Sequence, residues 1–284
     1  SPHFPEKGET VKSSFFKMGP GGKGFNQGVA AHKAGADVTM VTKLGRDTFA
    51  DIALNTMKEL GMKQDRILYS DDTETGCALI MVDENTSQNE IVVILGSCNT
   101  ISDAEVDSLE DLLDGCEYML TQLETNVSSV ERIVDIACKK GVKVILNTAP
   151  VQPISNELLS KVDLITPNEV EAEILTGVKV DSEEAADKAA EWFFGKGVKR
   201  VLITLGGRGV YINTGDKKGI IPAYKVNAID TTGAGDAFIG SLLYQLAEDG
   251  VTTDSIADLT EDKLEEYLKK SNGYCAKSVL ENGA

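Results

Sequence analysis

The residue types best suited to chemistry stand together at 228–238, Ala-Ile-Asp-Thr-Thr-Gly-Ala-Gly-Asp-Ala-Phe, ahead of an apolar run at 239–246 that reads as a helix. Glycines just before a helix let successive backbone N–H groups converge on an anion, and the helix N-terminus adds a favourable dipole. That pattern is a phosphate cradle. An aspartate beside it would repel the anion, so Asp236 fits better as a base that takes the proton of a hydroxyl attacking phosphorus. The alternative is that Asp230 or Asp236 merely caps the helix.

A second segment, Gly19-Pro20-Gly21-Gly22-Lys23-Gly24-Phe25-Asn26-Gln27, precedes a helix of small residues at 28–34 closed by Gly35. It contains G-x-G-x-x-G, which opens a dinucleotide reading. The preceding TVKSSFFKM alternates like a half-exposed strand, whereas that motif needs a buried parallel strand before its turn. The P-loop pattern fails too, because position 17 is not glycine and no Ser or Thr follows Lys23. Glycines here would let the backbone approach a polar ligand, with Lys23 and Asn26 as donors, or would form a plain tight turn. A third segment, Thr204-Leu205-Gly206-Gly207-Arg208-Gly209, reads alone as a glycine turn between strands. In a fourth, Thr166-Pro167-Asn168-Glu169-Val170-Glu171, Asn168 and Glu171 share a helical face. They could hold Mg²⁺, directly or through its waters, or form a capping box.

The elements that must position these residues follow from periodicity. Residues 10–18 and 75–95 read as extended strands of a small antiparallel sheet. From Ser102 the pattern changes: a capping box at 102–105 opens a helix stopped at Gly115. Strands at 118–122, 143–146, 163–166 and 200–204 then alternate with helices at 127–140 and 183–194. Such alternation implies a mainly parallel sheet covered on both faces, and ligands in such sheets bind beyond the carboxyl ends of the strands.

The 284 residues suffice for a sizeable core, and 42% hydrophobic with 26% charged residues is a globular composition. A net charge of -17 disfavours nucleic acid as a partner. No apolar run approaches a membrane span, and the N-terminus carries no apolar signal core. Five cysteines (77, 98, 116, 138 and 275), odd in number and without a C-x-x-C, suit reduced, buried thiols in the cytoplasm. His3 and His32 form no metal or triad pattern, and the acidic stretch at 260–270 reads as a solvated helix face.

Taken together, the four segments resemble the ribokinase-like (PfkB) family of carbohydrate kinases. GGKGFNQGVAA at 21–31 is similar to the family's first signature and DTTGAGDAF at 230–238 to its second. QLE at 122–124, LNTAP at 146–150, ITPNEVEAEILTG at 165–177 and ITLGGRG at 203–209 fall in the family's order, nearer the ribokinase branch than the fructokinase branch. The resemblance implies an α/β fold: a central, mainly parallel sheet with helices on both faces, plus a small β-sheet lid, from strands within 9–20 and 75–97, that forms a dimer contact. It implies Asp236 as general base, with the N–H groups of Gly233, Ala234 and Gly235 as anion hole. Gly22, Lys23, Asn26 and Glu124 would contact the sugar, and Thr204, Gly206, Gly207, Gly209 and Asn272 would line the ATP site. Asn168 and Glu171 match the family's Mg²⁺-associated pair. A K⁺ site would use Asp230, the Thr232 carbonyl and carbonyls near Ser278, Glu281 and Gly283.

The expected activity is phosphoryl transfer from ATP to a small sugar, ribose first, with fructose, deoxyribose or a nucleoside as alternatives. A phosphosugar would need an extra cationic clamp, for which only Arg46 and Arg66 are spare in the N-terminal half. Residues 4–10 match the segment after the family's first strand, and 281–284 stop inside the cation-loop pattern. Either a trimmed or partial version of a longer chain or a truncated protein, which would bind sugar poorly, is therefore expected. The competing classes are a non-catalytic sugar or nucleotide sensor and an NAD-dependent enzyme.

Overall fold

The computed structural model describes residues 1–86, 89–227, 231–251, 256 and 259–280. In chain order the first elements are α1 (Lys23–Ala34), β1 (Thr42–Leu44), α2 (Thr48–Glu59), β2 (Ile67–Tyr69), β3 (Thr75–Val82), β4 (Asn89–Gly96) and α3 (Asp103–Asp107). Next come β5 (Tyr118–Thr121), α4 (Val127–Lys140), β6 (Lys143–Leu146), α5 (Asn156–Ser160), β7 (Leu164–Ile165), α6 (Glu169–Thr176) and α7 (Glu183–Phe194). The chain continues through β8 (Val201–Thr204), β9 (Val210–Asn213), β10 (Lys218–Ile221), α8 (Ala234–Glu248) and α9 (Glu261–Ser278). They divide into two compact units, residues 1–22 with 40–100 and residues 23–39 with 101–284.

In the larger unit, β10-β9-β8-β7-β6-β5 form a six-stranded sheet, parallel from β5 to β8 and antiparallel through β9 and β10. Its strands are mostly apolar, with Lys143, Lys218, Asn213, Thr121 and Thr204 at their ends, and alternate residues divide between two cores. Val144, Leu146, Ile165, Val201, Ile203 and Tyr211 join one cluster with residues of α4 and α7. Ile145, Leu164, Leu202, Val210 and Ile212 join the other, under α8 and α9. Both faces are covered, as an α/β sheet with crossover helices requires. Helix ends follow local chemistry: Ser182, Ser155 and Asn168 accept backbone N–H bonds at N-caps, and Gly141 and Gly177 end α4 and α6 at φ 76°. The capping box expected at Ser102 forms, but α3 is short and gives way to a 3₁₀ turn before Gly115.

In the smaller unit, β3 and β4 pair antiparallel from Thr75↔Gly96 to Val82↔Asn89, and β1 and β2 pair in parallel. Residues 10–18 form no strand. Their apolar side chains do not alternate onto one face: Phe15, Phe16 and Met18 are all exposed, and Ser13 turns back on Phe15 through a 3.1 Å hydroxyl-to-carbonyl bond. The cysteines also differ from expectation. All five are free, yet none is buried, and Cys116 and Cys138 are exposed.

Candidate active site at the carboxyl ends of the parallel strands

Each parallel strand hands its polar residues to the same edge of the larger unit. Gln122 and Glu124 follow β5, Asn147 and Thr148 follow β6, Thr166 and Asn168 follow β7, and Thr204 ends β8. The first turns of α1 and α8 complete the set with Lys23, Asn26, Gln27 and Asp236.

Asp236 lies in the first turn of α8, after Gly233 at φ 74°. It is buried, at 8% exposure, and does not cap the helix. Its two oxygens face α1: Gln27 Nε2 donates to Oδ1 at 2.8 Å, and Asn26 Nδ2 donates to Oδ2 at 3.3 Å. Burial pushes its carboxyl above the ordinary aspartate value, opposed by the Lys23 charge and by the two amide donors. A buried carboxylate of raised basicity beside helix N-terminal amides can take a hydroxyl proton. Of the three anion-hole amides expected, Ala234 N–H is turned onto the Thr231 carbonyl at 3.3 Å.

Glu124 accepts the Lys23 backbone N–H at 2.5 Å, so it holds the start of α1 as an anion at a helix N-terminus. Asn168 and Glu171 form the capping box: Asn168 Oδ1 accepts from Glu171 N at 2.8 Å, and Glu171 Oε2 accepts from Asn168 N at 3.0 Å and from Thr148 Oγ1 at 3.1 Å. Burial raises the carboxyls of Glu124 and Glu171 as well, and each carries a smaller raising contribution from Asp236. Three carboxylates thus share the field of one nearby cation, Lys23. Such a surplus of negative charge matches a substrate that arrives with a divalent cation. Among the described residues no group of three metal-ligating acids, cysteines or histidines gathers, so any ion here would depend partly on the ligand's own oxygens.

On the nucleotide side, Thr204 bridges to Asn168 in parallel register, and residues 206–208 make a 3₁₀ turn. Gly209, at φ 105°, could not carry a Cβ: it would lie 2.0 Å from the Ile221 carbonyl oxygen. Asn272, buried on α9, donates to the Pro222 carbonyl at 3.1 Å, beside that same contact. Gly22, exposed at φ 91°, ends the first segment of the smaller unit. Of the proposed K⁺ ligands, Asp230, Glu281 and Gly283 lie outside the described residues. Thr232 is exposed, and the Ser278 hydroxyl donates to the Cys275 carbonyl at 2.8 Å.

Four residues that the sequence reading gave no role stand at the centre: Gln27, Gln122, Asn147 and Thr148. Gln27 directly follows Asn26 in the glycine segment, but nothing in its type distinguishes an amide turned to a base from one turned to solvent.

A model of the pfkB family of carbohydrate kinases matches residues 2–284. The ribokinase of Haemophilus influenzae is 40% identical over 283 residues, covering 100% of this chain and 88% of that protein. A deoxyribokinase of Salmonella typhimurium is 37% identical over 247 residues, covering 87% and 80%. The solved structure of Arabidopsis thaliana ribokinase complexed with ribose and ATP superposes with a TM-score of 0.88 at 27% identity, covering 99% of this chain and 88% of that one.

Proposed function

The chain belongs to the pfkB family of carbohydrate kinases, and on that premise we propose that it transfers the γ-phosphoryl group of ATP to D-ribose, giving ribose 5-phosphate. The observation that carries the reading is Asp236, buried at the head of α8 with both oxygens held by amides of α1. As the sugar hydroxyl attacks phosphorus and the bond to the departing ADP oxygen breaks, Asp236 takes the hydroxyl proton. The amides of Gly233 and Gly235 at the head of α8, joined by that of Ala234 once it leaves the Thr231 carbonyl, oppose the charge spread over the transferring group. Gly22, Lys23, Asn26 and Glu124 hold the sugar, while Thr204, Gly206, Gly207, Gly209 and Asn272 hold the nucleotide.

Asn168 and Glu171 would hold Mg²⁺ through water, and the ion would neutralise charge on the phosphates. The buried Glu171 carboxylate, with no ion-pair partner among the described residues, suits that role. K⁺ would lie near the Thr232 carbonyl with Asp230, Ser278, Glu281 and Gly283. No helix among the described residues is long and apolar enough to cross a membrane; a kinase of small sugars with five free thiols belongs in the cytoplasm. Deoxyribose is the second substrate reading, favoured by the deoxyribokinase relative.

The test is conversion of ATP to ADP with Mg²⁺ and K⁺ against ribose, deoxyribose, fructose and adenosine. Ribose-dependent turnover is expected, falling at least about a hundredfold in Asp236→Asn while nucleotide still binds. Turnover of that variant within a few-fold of the parent removes Asp236 from the role of base.

A further inference from the structure

Gln27 has no solvent-exposed surface, and every polar atom of its side chain is engaged. Its Nε2 donates to Asp236 Oδ1 at 2.8 Å and to Asn147 Oδ1 at 3.2 Å, and its Oε1 accepts from Gln122 Nε2 at 2.5 Å. Asn147 in turn donates to the Thr166 carbonyl at 2.6 Å. The orientation of these three carboxamides is set from both ends. An ionised carboxylate and a backbone carbonyl can only accept. Asp236 therefore demands the nitrogen of Gln27, and the Thr166 carbonyl demands the nitrogen of Asn147, which leaves the Asn147 oxygen for Gln27. The remaining oxygen of Gln27 then demands the nitrogen of Gln122. The first turn of α1 makes room for this chain, since a Cβ on Gly24 would lie 2.7 Å from Gln122 Oε1.

The two oxygens of Asp236 are thereby made unequal. Oδ1 is taken by a short bond from a fixed, fully buried donor. Among the described residues, Oδ2 has only Asn26, at 3.3 Å. Resting on the reading of Asp236 as the base, we propose that Gln27 is a positioning residue: gripped by Gln122 and Asn147, it locks Oδ1 and so dedicates Oδ2 to the substrate hydroxyl. In the transfer step the proton passes from that hydroxyl to Oδ2, its oxygen forms the new bond to phosphorus, and the old bond electrons leave with ADP.

The charges acting on Asp236 are Lys23 from α1, which favours the ionised form, and Glu124 after β5 and Glu171 on α6, which oppose it. Gln27 adds a donor to this set without adding charge. It supports ionisation while leaving the carboxylate more basic than a second lysine would.

The experiment compares the full chain with Gln27→Met, Gln122→Met, the double variant and Asp236→Asn, measuring ribose-dependent turnover from acid to neutral pH and ATP affinity by calorimetry. Gln27→Met is expected to lower kcat by about tenfold to a hundredfold, the range for losing a hydrogen bond to a charged group, with ATP affinity and the KM for sugar within a few-fold. The acidic limb of its kcat profile moves to higher pH, because losing a donor to the ionised form favours the protonated one. Gln122→Met, which does not touch Asp236, gives a smaller fall and the same direction of shift, because it frees Gln27 to turn its oxygen toward the carboxylate. Adding it to Gln27→Met costs nothing further. Unmoved limbs in both single variants, or losses that simply multiply in the double variant, overturn the proposal. Should Gln27→Met fail to fold, the limb of Gln122→Met alone decides. The underlying reading fails separately, if Asp236→Asn keeps its turnover.

Discussion

At the scale of single residues, the site places carboxylates where folding alone would not. Asp236, Glu124 and Glu171 all have carboxyls raised by burial. A carboxyl raised in the folded state binds more protons there than in the unfolded chain at intermediate pH, so stability falls as pH rises from the unfolded value through the folded one. Below that window the penalty is absent; at neutral pH it is present in full. Asp236→Asn removes the charge from this setting. It is therefore expected to raise the melting temperature at pH 7 while removing activity, a gain that shrinks as the pH is lowered through the carboxylate range. Thermal unfolding of both proteins at several pH values checks this, and a variant less stable than the parent at pH 7 contradicts it. The place of Asp236 at the head of a helix was legible in the sequence, and it drew notice because a carboxylate beside a glycine cradle is chemically anomalous. Gln27 was not, because its meaning depends on Gln122 and Asn147, more than ninety residues away along the chain.

At the scale of elements, α1 and α8 must cross closely for those amides to reach Asp236. A Cβ on Gly240 would lie 2.3 Å from the Gln27 carbonyl oxygen and 2.8 Å from Ala31 N, so the two backbones meet at this glycine. The small residues after Gln27 thus serve helix packing, a role their composition alone does not show. Gly240→Val is expected to destabilise the protein by about 1–3 kcal/mol, the usual cost of overpacking, and to lower kcat at least about tenfold by lifting Gln27 from Asp236. Denaturant unfolding and turnover together test it; lost stability with intact turnover separates the crossing from the base. Most helices and strands of the larger unit were legible from periodicity and end signals, α4 and α7 to the residue, whereas the short α5 and β10 were not and α1 begins at Lys23 rather than at 28. Residues 10–18 misled, since apparent alternation predicts a strand only where a partner and a buried face exist.

At the scale of the whole molecule, the smaller unit raises the question of what covers it. A lone two-stranded pair is marginal in water. Yet β3 and β4 expose Leu79, Ile80, Val82, Ile91, Val92, Val93 and Ile94, each more than 40% exposed and pointing to both faces. Consecutive apolar residues on both faces suit a covered surface, and in a chain of net charge -17 a region this poor in charge is where a second copy would meet least repulsion. We therefore expect a homodimer held through this hairpin. Leu79 and Val92 sit directly opposite in the register. The paired change Leu79→Lys with Val92→Glu keeps a favourable cross-strand contact while replacing two central apolar side chains with charges. Sedimentation at micromolar concentration should give twice the chain mass for the parent and the single-chain mass for the double variant, with the hairpin still folded. A monomeric parent would remove the homodimer, and a variant that stays dimeric would place its contact elsewhere; either outcome leaves the apolar hairpin to another partner.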